Sequence, residues 1–327
     1  MIGRVAITGI GIEAPANTMS ELLGMEYLAD WPFDPAAKLG KKGLRYKESS
    51  TLKALCAART ALIDSGRLTQ DGGKLEDDQF GVAIASNTGN LETVCAVAET
   101  IRNEHVDATS AMDLPNASSN VIASTVAIRF GLRALNLMLT SGSNAAADAL
   151  ILAANAIRAG RVGSMLVGAV ETDSIVLQSL RAGKRLATRL PPALTSIASA
   201  VILENESSAV KRNARIYGYF ESHAFSGGEP ASERFLRFLL QERRALNFLD
   251  PAQLVASVRG FTGNDLGMRS EVLDLNRSLG QLYGALATAQ LVLACERFAD
   301  RSADDALLVS GGVFGDRRLT ALSATRV

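Results

Sequence analysis

Few residues in this 327-residue chain have both the type and the setting for covalent or acid–base chemistry, and the best placed is Ser143. The apolar run Leu135–Leu139 meets a cluster of small residues at Ser141–Ala147, followed by an Ala-rich stretch to Arg158. That order predicts a strand, a tight turn and a buried helix, with Ser143 at the helix N-terminus. Ser141-x-Ser143-x-Ala145 is a small-residue variant of the hydrolase elbow without its two flanking glycines. A serine hydroxyl without an activating base is a poor nucleophile. The chain has two histidines, His105 and His223, and neither lies in a motif that would place it beside Ser143. Cys56, Cys95 and Cys295 sit in Ala-rich or Leu-rich helical patterns, where a buried, inert thiol is expected. Their irregular spacing matches no zinc pattern and fits a reducing compartment. Gly9-x-Gly11-x-x-Ala14 satisfies the dinucleotide fingerprint formally, but Pro15 follows at once and no helix start is evident, so strand-end glycines are the plainer reading. No cofactor and no metal is expected.

The elements that must position Ser143 occur twice. Ser143–Glu171 reads as an Ala-rich helix, a polar turn at 158–163 and the apolar strand Ser164–Val170. Gln281–Phe314 repeats it with the helix Leu282–Phe298, a polar turn at 299–305 and the strand Ala306–Val309. Phe80–Asn90 corresponds to Ala256–Asp265, and Arg4–Ile12 to Ala214–Glu221. This is a duplicated α/β unit, with an N-terminal half at 1–210 and a C-terminal half at 211–327 forming one compact body. Helices that are apolar all round must lie between layers, where small side chains allow close approach to sheets on both faces. Ser50–Ser65 reads as a helix, Asp30–Lys47 as a solvated surface excursion, and Glu221–Pro230 as a loop.

Several strings, in order, are similar to those of β-ketoacyl synthases. Leu135–Glu171 resembles their active-site elbow, with Ser143 at the place of the usual Cys. Arg4–Ala16 is similar to their opening strand and loop, and Pro115-Asn116 with Val126–Leu132 to the stretch before the elbow. Gly260–Asn264 falls where the family has His-Gly-Thr-Gly-Thr, which puts Gly260 at a His. Asn276–Ala285 is similar to the Lys-containing Gly-His-x-x-Gly-Ala motif, with Asn276 at the Lys and Gln281 at the His; Gly311–Arg317 echoes the Gly-Phe-rich C-terminal loop. The resemblance implies a thiolase-like, five-layer αβαβα architecture. It also implies loss of chemistry, because condensation needs a thiolate to carry the acyl chain and imidazoles to support decarboxylation. No catalytic residue is expected; Ser143, Gly260, Gln281 and Asn276 are degenerate positions.

A ketosynthase-like chain of this kind is similar to the chain length factors, or ketosynthase β subunits, of bacterial type II polyketide systems. The resemblance implies a non-catalytic subunit in a heterodimer with an active ketosynthase, shaping the acyl tunnel, with an acyl carrier protein reached through the complex. The Ser at position 143, the short chain and the trimmed stretch between Leu180 and Ile197 look more like the factors of polyene-forming, highly reducing systems. The strand that pairs across the family's dimer corresponds to Asn136, Leu137, Met138, Leu139 and Thr140; alternatively it is a central strand of the monomer. Tunnel-lining residues fall on Met112–Thr125. At helical spacing Asn116, Asn120 and Ala123 share a face, with Met112 and Ser119 beside it, although the asparagines could simply satisfy local backbone. Two other functions stay open: a serine acyltransferase or hydrolase using Ser143, and a homodimeric acyl-binding protein.

Composition bounds the partners. Lys plus Arg and Asp plus Glu are both 34, so no overall field favours nucleic acid or an acidic membrane. With 47% apolar residues the chain can bury a large core, yet no apolar run approaches the roughly 18 residues of a membrane span. Gly9, Gly11 and Glu13 interrupt what would otherwise resemble a signal peptide, and a cytoplasmic protein is expected.

Overall fold

The computed structural model describes residues 3–25, 31–183, 194–227, 246–248, 273–311 and 318–327. The expected opening strand is β1 (Val5–Glu13), buried along almost its whole length. Its two glycines are packing residues. A Cβ at Gly9 would lie 2.6 Å from Ser65 Cβ and one at Gly11 would lie 2.5 Å from the Ala61 nitrogen, so their absence lets helix α3 (Ser49–Asp64) rest directly on the strand. This accounts for the Gly-x-Gly string without a nucleotide.

Short helices α1 (Met19–Leu23) and α2 (Pro35–Leu39) precede α3. After α3 come β2 (Phe80–Ala85), α4 (Leu91–Glu104), α5 (Val121–Phe130), β3 (Asn136–Leu139), α6 (Ala145–Arg158) and β4 (Ser164–Val170). Then follow α7 (Ile175–Ala182), β5 (Ala198–Asn205), α8 (Glu206–Lys211), β6 (Gly218–Gly227) and β7 (Leu246–Phe248). The chain continues through α9 (Leu275–Leu279), α10 (Leu286–Ala299), β8 (Asp305–Gly311) and β9 (Arg318–Arg326).

The strands form one sheet in the order β3-β2-β4-β5-β1-β6-β9-β8-β7. In the first half β2 is parallel to β4, β4 antiparallel to β5, and β5 antiparallel to β1. The second half repeats these relations with β7, β8, β9 and β6. The halves join where Val5–Ile7 pair with Phe220–Gly218. The duplication read from the sequence is therefore real, with one shift of register. The strand that takes the place of β2 is β7, whereas the stretch 256–265 expected there lies outside the described residues.

The Ala-rich helices α6 and α10 pack on each other and share one core with Met165 and Val167 of β4 and with Ala306, Leu308 and Leu322 of β8 and β9. They are the layer between the two halves. On the other face of the first half, Leu55, Ala58 and Leu62 of α3 and Ile122 and Val126 of α5 cover Val82, Ile84, Leu166 and Ile202. This is the thiolase-like order of layers, of which the described residues make up four. Glu204, fully buried in β5, is held by Arg67 at 2.6 Å and Arg212 at 2.7 Å, locking α3 and α8 to the sheet.

Two local expectations fail. The stretch 221–227 is strand, not loop, because β6 pairs with β9 along its whole length and that ladder overrides a polar composition. The excursion, described over 31–47, is not wholly solvated: Asp34 caps α2, Leu39 is buried, and Lys38 Nζ lies 2.6 Å from the buried Glu13. Among the described residues no helix is long and apolar enough to cross a membrane.

Candidate functional site

The elbow forms as its small residues predict. β3 runs out at Leu139, Gly142 takes a φ of 68°, and a single 3-10 turn at Gly142–Asn144 feeds α6. Ser143 is 4% exposed at this turn, which packs against the matching 3-10 turn Tyr283–Ala285 and the end of β8.

Four residues that the sequence reading did not single out, Asn87, Thr88, Glu171 and Gly284, build the clamp on the turn. Gly142 N–H donates to Asn87 Oδ1 at 2.9 Å, and Asn87 Nδ2 donates back to the Gly142 carbonyl at 3.0 Å. Asn87 is itself fixed by Glu171, whose Oε1 accepts from Asn87 Nδ2 at 2.6 Å and from the Asn87 N–H at 2.9 Å. Glu171 Oε2 accepts from the Thr88 hydroxyl at 2.9 Å. Glu171 is fully buried, and loss of hydration raises its carboxyl to about 7 despite these hydrogen bonds. Gly284 closes the cluster, since a Cβ there would lie 2.6 Å from Glu171 Oε1 and collide with the Asn87 amide. The only forewarning in the sequence was a lone carboxylate ending the apolar strand Ser164–Val170.

The degenerate positions are neutral where they can be described. Asn276 Oδ1 accepts the Leu282 N–H at 3.0 Å, a structural role in the bend after α9. The Gln281 carbonyl accepts from the Thr195 N–H at 2.8 Å, while its side-chain Oε1 is buried without a hydrogen-bond partner among the described residues. Gly260 lies outside the described residues. His105 sits exposed at the C-terminal end of α4. Burial pushes the Cys56 thiol up to about 12 and raises Cys295 strongly, as expected of inert core thiols. Cys95, by contrast, is only half-buried, because α4 buries none of its residues. No group of three or more metal-ligating side chains occurs among the described residues. The titratable group in the clamp, Glu171, already accepts three hydrogen bonds.

Asn116, Asn120 and Ala123 do not share a helical face with Met112 and Ser119 beside it. The chain makes a 3-10 turn at Leu114–Ala117 and α5 begins only at Val121, because Pro115 and the run of Asn and Ser favour local turns. Met112, Ser119 and Asn120 are exposed, and Asn116 and Ala123 are buried. Asn116 Oδ1 accepts from Lys47 Nζ at 2.9 Å and its Nδ2 donates to the Met112 carbonyl at 3.2 Å; Asn120 Oδ1 accepts from the Ser118 hydroxyl at 2.8 Å.

Asn136–Leu139, in contrast, is no central strand. Among the described residues β3 ends the sheet and pairs only with β2. Leu137, Met138 and Leu139 are half-buried and Asn136 and Thr140 exposed. A hollow of about 500 Å³ lies beside it, lined by Met138, Leu139, Thr140, Ile151 and Leu152.

Comparison with known proteins bears on the whole chain. A family model described as Beta-ketoacyl synthase, N-terminal domain, matches residues 31–200. The chain is similar to 3-oxoacyl-(acyl-carrier-protein) synthase 2 of Vibrio cholerae serotype O1, 23% identical over 361 aligned positions that cover 91% of this chain and 86% of that protein. Its fold matches a ketosynthase solved as "AntDE:AntF (apo): type II PKS acyl-carrier protein in complex with its ketosynthase bound to the hexaketide", with TM-score 0.79, 17% identity and coverage of 99% of this chain and 100% of that one. It also matches the ishigamide ketosynthase/chain length factor, with TM-score 0.76, 20% identity and the same coverage.

Proposed function

Since the chain belongs to the β-ketoacyl synthase family, we propose that it is a non-catalytic member that pairs with an active ketosynthase and shapes the acyl tunnel that sets polyketide chain length. The observation that carries this reading is the elbow. Its backbone turn is kept under the Glu171–Asn87–Gly142 clamp, while Ser143, Gln281 and Asn276 offer neither a thiol, an imidazole nor an ammonium group. Selection for a scaffold without its reactive groups makes sense when a second polypeptide supplies them.

The β3 edge supports pairing. An edge strand carrying Leu137, Met138 and Leu139 invites further strand addition, and a partner strand would satisfy its open N–H and C=O groups. The solved pair of a ketosynthase with its chain length factor gives the assembly a precedent in this fold. Acyl chains would arrive on an acyl carrier protein, as a carrier accompanies the ketosynthase in another structure of this fold. A highly reducing, polyene-forming pathway remains the pathway class proposed.

Co-expression with the ketosynthase encoded nearest to it tests the reading. A stable heterodimer is expected, with carrier-bound products made only by the pair. Elongation of a malonyl-primed carrier by this chain alone would overturn the proposal, and an acyl adduct on Ser143 by intact mass would replace it with serine acyl transfer.

A further inference from the structure

Helix α6 is buried almost throughout. The positions that are not, Asp148, Leu152, Asn155 and Arg158, recur every three or four residues and so form one stripe. The stripe begins beside the open edge of β3, where Asp148 and Leu152 join Met138, Leu139, Thr140 and Ser141 in lining the hollow of about 500 Å³.

Among the described residues that line this hollow, Asp148 is the one that carries a charge. The Ser141 hydroxyl donates to its Oδ2 at 2.5 Å and holds the carboxylate beside the edge strand. Arg158, the cation on the same stripe, is engaged at the other end of the helix. It donates to the Phe220 and Glu221 carbonyls of β6 at 2.9 and 3.0 Å and does not reach the hollow. A strand added to β3 covers the hollow and takes the carboxylate out of water, which is unfavourable unless a cation arrives with it.

Two kinds of partner differ at this point. In a two-fold pair of identical chains the same patch lies on both sides. Two Asp148 carboxylates would then be covered together, and the patch holds no cation to meet either. A different chain of the same fold can carry a lysine or arginine there, its aliphatic stem along Leu139 and Leu152 and its charge on Asp148 and the Thr140 and Ser141 hydroxyls. We propose that Asp148 selects the partner, turning away a second copy of this chain and admitting a ketosynthase that presents a basic side chain to the hollow. This selection rests on pairing through β3 and supplies the reason that the pair is mixed.

Sedimentation of the full chain, alone and with the ketosynthase encoded nearest to it, tests the selection. Asp148→Asn removes the charge and keeps an acceptor for the Ser141 hydroxyl. It should self-associate at least tenfold more tightly than the wild-type chain and bind the ketosynthase at least tenfold more weakly. Asp148→Lys mixed with the wild-type chain should form pairs at least tenfold more tightly than either forms alone. A merely structural role would weaken both associations of a variant together, and circular dichroism would report loss of fold. Wild-type affinity of Asp148→Asn for the ketosynthase, or self-association no tighter than that of the wild-type chain, would overturn the selection. If Leu152→Glu still weakens the pair in that case, pairing through β3 stands without it; if neither substitution alters binding of the ketosynthase, pairing through β3 falls as well.

Discussion

Asn87 and Gly142 hold each other at two points. The Asn87 side-chain oxygen accepts the Gly142 N–H at 2.9 Å, and its amide nitrogen donates to the Gly142 carbonyl at 3.0 Å, across 55 residues of sequence. The pair mimics one rung of a β-ladder at a place where the chain must turn, so the elbow is fixed by a side chain standing in for backbone. Asn87→Ala would leave the N–H and carbonyl of Gly142 without these partners and would remove one of the two hydrogen bonds to Glu171 Oε1. Buried groups left unpaired in this way cost about 1–3 kcal/mol each. A loss of about 3 kcal/mol in denaturant unfolding is expected, against less than about 0.5 kcal/mol for Asn103→Ala on the exposed end of α4.

Glu171 makes stability depend on pH in a direction opposite to that of an ordinary paired carboxylate. Its carboxyl is raised from 4.5 to about 7 by burial, so between those values the folded chain holds a proton that the unfolded chain has released. Its contribution is therefore most favourable below pH 4.5, declines as pH rises to about 7, and is flat above. Glu171→Gln keeps an acceptor for Asn87 and removes the titration. The stability difference, variant minus wild type, should grow by roughly 3 kcal/mol across that window. A difference that stays constant from pH 5 to 8 in unfolding experiments would show that Glu171 titrates normally.

What was legible in the sequence was local. The apolar run ending at Leu139, the small residues 141–147 and the Ala-rich helix lie within one stretch, so their periods give the elbow directly. The repeat was legible for the same reason, since α6 with β4 and α10 with β8 are contiguous units. The clamp was not, because Asn87, Gly142, Glu171 and Gly284 come from four separate segments and only the fold brings them together. The local form of the segment before α5 was not legible, because Pro115 and the asparagines make turns where a helical period would set Asn116 and Asn120 on one face.

Gly284 tests whether the two 3-10 turns must touch. An alanine methyl there would press on Glu171 Oε1 and the Asn87 amide, neither of which can move without breaking the clamp. Overpacking of this kind costs about 1–3 kcal/mol. Gly284→Ala should unfold at lower denaturant, and the loss should be smaller when Asn87→Ala is already present. Simple additivity of the two would mean that they act on separate structures.

Pairing through β3 can be separated from folding at Leu152. This side chain is 44% exposed on α6 and lines the hollow beside Met138 and Leu139. A charge there leaves the chain's own core alone, so Leu152→Glu should change its stability by less than about 0.5 kcal/mol. In a covered interface the same charge would be buried without a partner, and association with the ketosynthase should weaken at least tenfold, roughly 1.4 kcal/mol. Unchanged affinity by sedimentation or calorimetry would move the interface away from the β3 edge.

The tunnel role now rests on residues with different freedoms. Asn116 is tied to Lys47 and the Met112 carbonyl, so replacing it confounds shape with stability. Ser119 and Asn120 are exposed in this chain and can carry a larger side chain without disturbing its core. If the segment 112–125 lines a channel completed by the partner, Ser119→Phe and Asn120→Phe should leave the subunit folded and paired yet shorten the product, because an aromatic ring fills space that an extended acyl chain would otherwise occupy. Mass spectrometry of carrier-bound products from the pair gives the readout. Products of wild-type length from both variants, in complexes shown to be intact, would take chain-length control away from this segment.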